Sequence, residues 1–100
     1  MSTETLSDAY PDAVVAVRAF FAQFYGADIA QSEDAEEELV LFQLGPAHKV
    51  VAVSADFLAE FDKDEIREKL AGWNVAHLSR TLEPRCRLKV TSDGTEEERD

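Results

Sequence analysis

The residues best suited to chemistry are few and scattered. His48, His77 and Cys86 are the soft metal ligands of the chain. A zinc site draws three or four such ligands together, commonly with two of them a few residues apart. No such spacing exists here. Cys86 lies in Arg85-Cys-Arg-Leu-Lys-Val-Thr91, whose alternation turns the thiol inward with Leu88 and Val90, away from a nucleophile's position. Asp62, Asp64, Glu65 and Glu68 form the one acidic group with a regular spacing. Magnesium binding or acid–base catalysis is one reading of them. Their spacing matches the start of a helix better: Asp62 and Glu65 make a capping box, and Glu65 and Lys69 an i, i+4 pair. Gly26, Gly45, Gly72 and Gly94 do not cluster, so no phosphate loop is present, and neither CxxC nor HExxH occurs. The expectation is a protein without catalytic activity, cofactor or metal.

Binding chemistry is better represented. Arg80, Arg85, Arg87 and Lys89 form a basic strip. Alternation places the last three on one side of a strand, with cations about 7 Å apart. Such a strip suits phosphate, nucleic acid or an acidic peptide. It equally suits an edge strand guarded by charge, or cations neutralised by the chain's own acidic tail. Trp73 is the one tryptophan and follows a glycine at a helix stop. It reads either as a cover over the core or as an exposed interface anchor.

Residues 65–82, EIREKLAGWNVAHLSRTL, resemble a helix-turn-helix DNA-binding unit: a first helix, a glycine turn, and LSRTL in the place of the recognition helix. Arg67 stands where that family has a small residue, and Arg80 is the one strong base reader in the second helix. The resemblance implies a nucleic-acid-associated regulator in which the basic strip assists.

These groups must be positioned by a small set of elements. Residues 9–25, AYPDAVVAVRAFFAQFY, predict a helix with Pro11 in its first turn and Gly26 at its stop. Val14, Val17, Phe20, Phe21 and Phe24 share one arc, with Ala16, Ala19, Ala22 and Gln23 opposite. Val15 and Tyr25 widen the apolar arc, which suits a dimer helix as well as a core helix. Residues 27–37, ADIAQSEDAEE, show no clean period and read as an acidic connector. Residues 39–44 and 49–53 predict a hairpin across the loop Gly45 to His48. Its first strand is apolar on both faces, as a central, doubly covered strand would be. Ser54 opens a helical region, Asp62 starts a second helix, and Asn74 a short third one bearing Val75, Leu78 and Leu82. Residues 85–91 form a last strand, and residues 93–100 read as a disordered acidic tail.

The expected fold is therefore α+β, a single domain over residues 1–92 in the order α-β-β-α-α-β, with a three-stranded antiparallel sheet in the order 2-1-3. Its 100 residues support one modest core. The net charge of −11 resides mostly in residues 28–38 and 93–100, leaving the remainder near neutral. That favours solvated acidic spacers over a mimic of nucleic acid, which needs carboxylates spread across a folded face. No apolar run approaches the roughly 18 residues of a membrane span. The N-terminus lacks a signal-peptide pattern, and the single cysteine permits no internal disulfide. These features point to a cytoplasmic interaction or adaptor module with a protein partner, most simply a second copy of itself. Nucleic acid is the alternative partner, and a membrane is not expected.

Overall fold

The computed structural model describes residues 5–99. One helical turn, α1 (Leu6–Ala9), precedes the long helix α2 (Pro11–Tyr25). Pro11 tolerates the first helical position because its missing N–H would have no intrahelical acceptor there. Three strands follow: β1 (Ile29–Asp34), β2 (Leu39–Leu44) and β3 (Lys49–Ser54). Helices α3 (Ala55–Glu60), α4 (Lys63–Gly72) and α5 (Val75–Arg80) lead to β4 (Cys86–Thr91) and β5 (Gly94–Arg99).

The five strands form one sheet in the order β1-β2-β3-β4-β5. Neighbours are antiparallel except β3 and β4, which run parallel. This overturns the three-stranded antiparallel sheet in the order 2-1-3. Two of the strands come from segments read as a connector and a tail. Ile29–Asp34 buries one residue, Ile29, because it is an edge strand, so an apolar period has little to register. Gly94–Arg99 is acidic, but a short turn at Ser92 and Asp93 folds it onto β4, where the ladder satisfies its backbone. Residue 100 of the expected tail lies outside the described residues. The crossover into β4 also differs from the expected one. Three helices carry the chain back to the starting end of β3, so β4 joins β3 in parallel instead of lying beside β2.

The core lies between the helices and one face of the sheet. Val40, Phe42, Leu44, Val51, Val53, Leu88 and Val90 meet Val14, Val17, Phe20 and Phe21 of α2 and Phe57, Ile66, Leu70 and Val75 of the later helices. Phe21 packs on Phe42 with ring centroids 5.8 Å apart. The arc expected for α2 needs two changes: Ala16 is buried, while Phe24 is 42 % exposed. The Asp62–Glu65 capping box forms, with the Asp62 carboxylate accepting from the Asp64 and Glu65 N–H groups and Glu65 accepting from the Asp62 N–H. Gly45 turns the hairpin at φ +72°, and its missing Cβ would come within 3.1 Å of the Tyr25 ring. Glycine is favoured there on both counts.

Candidate functional site

The sheet has two unlike faces. Register places Ala30, Ser32 and Asp34 of β1 beside Gln43, Leu41 and Leu39 of β2, then Val50, Ala52 and Ser54 of β3, Arg87 and Lys89 of β4, and Glu98 and Glu96 of β5. None of these residues belongs to the core cluster. The helices pack on the opposite face, so among the described residues this one carries no helix. Leu39 and Ala52 are nevertheless fully buried, while Leu41 and Val50 are half-buried. β2 is thus apolar on both faces, as its sequence suggests, without a second layer of helices.

Charged side chains bridge the helix-free face. Arg87 Nε donates to Glu98 Oε1 at 2.8 Å, on the neighbouring strand β5. Its Nη2 donates to Glu37 Oε2 at 2.9 Å. Glu37 lies in the β1–β2 turn, so this pair spans the strands β2 and β3 that carry Leu39 and Ala52. The Glu37 carboxylate, then Glu98, holds the Arg87 guanidinium above its ordinary value, against the opposing effect of partial burial. Lys89 Nζ lies 4.0 Å from Glu98 Oε2.

At one end of this face the β2–β3 turn, the start of β4 and the end of β5 enclose a cleft of about 500 Å³. It is lined by His48, Val50, Arg85, Cys86, Arg87, Glu98 and Arg99. His48 and Arg85 hold left-handed backbone, at φ 53° and 71°. Each costs roughly 1 kcal/mol relative to glycine at such a position. Arg99 sits opposite Cys86 in the β4–β5 ladder. The Cys86 sulfur, and after it Glu83, raises the Arg99 guanidinium above its ordinary value. Arg99 Nη2 also donates to Glu83 Oε2 at 2.7 Å, an exposed pair of the kind worth little in water.

The expected basic strip is divided by this geometry. Arg85 and Arg87 line the cleft. Lys89 continues along the helix-free face, and Arg80 lies on α5, with its guanidinium 5.2 Å from the Phe24 ring centroid. Trp73 is part of the packing: it is half-buried, 5.9 Å from Phe57 and 6.5 Å from Phe61 between ring centroids, with Lys69 Nζ 6.0 Å from its ring. In the segment that resembles a helix-turn-helix unit, the second helix is α5, six residues and about 9 Å long. It turns Val75, Ala76 and Ser79 into the interior and leaves His77 and Arg80 exposed. Among the described residues, no three His, Cys, Asp or Glu side chains are grouped so as to hold a metal ion. Among the same described residues, no helix is long and apolar enough to cross a membrane.

Comparison with protein-family models, curated proteins and solved structures gives no match. The site is therefore read from its own geometry. Sequence reasoning missed Arg99 and Glu98 because both lie in the presumed tail. It also missed His48, whose place beside Arg85 depends on the parallel pairing of β3 with β4. The one signal available was the density of charge on both sides of Ser92-Asp-Gly94, with bases before it and acids after it, which suits two strands of a hairpin.

Proposed function

We propose that the chain is a small non-catalytic interaction module that associates with a second copy of itself through the helix-free face of its sheet. The observation that carries this reading is the half-buried pair Leu41 and Val50 on a face without helices. Charge supports the same face. The chain carries −11, yet here Arg87 and Lys89 oppose Asp34, Glu37, Glu96 and Glu98, leaving two net negative charges. Two copies therefore repel least when these faces meet. Both sheet edges are acidic, Glu33 and Asp34 on β1 and Glu96 to Glu98 on β5, which disfavours edge-to-edge pairing. The helix α2 is a weaker candidate. Its exposed apolar residues Val15 and Phe24 lie about 180° apart around the axis, and Arg80 covers Phe24.

Six-residue strands, five abreast, give a face of roughly 20 by 20 Å, about 800 Å² over two copies, which is the size of a weak, transient dimer. Sedimentation equilibrium tests the reading. The expected result is a dimer in the native chain, a folded monomer for Leu41→Lys, and no change for Val15→Lys. A native chain that stays monomeric up to about 1 mM, where even a −4 kcal/mol association is visible, sinks the proposal. A dimer broken by Val15→Lys and not by Leu41→Lys moves the interface to α2.

A further inference from the structure

The cleft at the end of the sheet has a composition at odds with the rest of the chain. Ten lysines and arginines face 21 acidic residues in the whole sequence. Three arginines and one glutamate line this cleft. Arg87 is committed to Glu37 and Glu98. Among the described residues Arg99 has one ion-pair partner, the exposed Glu83, besides its ladder neighbour Cys86, and an incoming anion can displace that pair. Arg85 makes no hydrogen bond or ion pair among the described residues, in a chain with twice as many acids as bases.

Backbone geometry adds a separate argument. Four non-glycine residues of the described chain have positive φ, and two of them, His48 and Arg85, line this one cleft. Glycine would relieve either position. An arginine there keeps a cation in the lining of the cleft at some cost to fold stability, and strain of this kind concentrates at ligand sites. We propose that the cleft binds a small phosphorylated molecule, its phosphate held between Arg85 and Arg99 with His48 at the rim. Guanidinium groups bind phosphate oxygens through paired N–H donors, and Arg85, just before β4, and Arg99, at the end of β5, both line this cleft. Val50 and Cys86 supply an apolar patch for the part of the ligand that carries the phosphate. The volume lies within the range of small-molecule sites. Val50, Arg87 and Glu98 also lie on the face proposed for self-association, so a bound phosphate and a second copy would compete for this corner of the sheet.

The test is a titration of the full chain with inorganic phosphate, followed by amide NMR shifts, against chloride at matched ionic strength. The expected result is saturable shifts confined to His48, Val50, residues 85–87, Glu98 and Arg99, reached with phosphate and not with chloride. Arg85→Gly is expected to raise the thermal midpoint and to weaken phosphate binding at least tenfold. Arg99→Gln is expected to weaken it similarly, Glu98→Gln to tighten it, and Arg67→Ala on α4 to leave it unchanged. No saturable shift, shifts spread equally over Arg67, Arg80 and Lys63, or unaltered affinity in both Arg85→Gly and Arg99→Gln would overturn the proposal. Saturation by a phosphomonoester at lower concentration than by inorganic phosphate would support the contribution of Val50 and Cys86, and equal affinity would remove it.

Discussion

Asp56 ties the first turn of α3 to the β4–β5 turn. Its Oδ1 accepts from the Phe57 N–H at 2.9 Å and from the Ser54 hydroxyl, and its Oδ2 accepts from the Ser92 hydroxyl at 3.0 Å. Ser54 occupies the N-cap position as expected, but its hydroxyl donates to Asp56 and makes no capping bond to the helix backbone. The hydrogen bond from Ser54 is the main reason the Asp56 carboxyl is lowered from its ordinary 3.8, with smaller help from Ser92 and Phe57 against a partial burial that acts the other way. A carboxyl whose folded value is depressed stabilises the fold above its unfolded value, and the contribution is lost as pH falls through the folded value. Asp56→Asn is therefore expected to cost about 0.5–1 kcal/mol near neutral pH, a small figure because the group is exposed. Urea unfolding of both proteins should show a constant gap above pH ~5 that narrows below about 4. A gap unchanged down to acid pH would mean that the charge of Asp56 contributes nothing.

Among the elements, β5 is the one most at odds with its composition. Glu96 and Glu97 are exposed on an edge strand, while Glu98 is turned to Arg87 and Lys89. An unpaired row of backbone donors and acceptors invites another chain, and like charges along it are a known protection. Replacing Glu96 and Glu97 together by threonine raises strand propensity and removes that protection. The expected outcome is a fold at least as stable, accompanied by concentration-dependent aggregation visible in light scattering. If the double variant stays as soluble as the parent, the acids on β5 are not guarding the edge. The acid-poor strands behave differently: β2 and β3 are central, and their apolar character is explained by the core and by the helix-free face.

At the scale of the whole molecule, net charge sets the sign of the salt response. Two copies each carrying −11 repel over a distance of about 10 Å at 0.1 M salt. Self-association through the near-neutral sheet face should therefore strengthen as salt rises. Association with nucleic acid does the opposite, because it releases counterions. Sedimentation at low and high ionic strength separates these two behaviours in one experiment. Strengthening with salt supports the dimer, and a dimer that weakens with salt would require an interface built on opposite charges, unlike the face described here.

The sequence by itself determined the class of the protein, the long apolar helix, the hairpin of β2 and β3, the Asp62 capping box and the inward pair Leu88 and Val90. Each rests on interactions within a few residues of one another, so period, cap and turn chemistry sufficed. Residues 29–34 and 94–99 were decided by tertiary structure. Their strand character comes from backbone ladders to β2 and β4, and a ladder leaves no apolar period at an edge. The division of the basic strip was also decided there, because partners such as Glu37 and Glu98 reach Arg87 from 50 and 11 residues away in the chain. The cleft exists only once β3 and β4 lie side by side in parallel, which brings the turn at His48, the entry at Arg85 and the end of β5 to one corner of the sheet. Local pattern cannot specify that corner, since the crossover through three helices fixes it by packing.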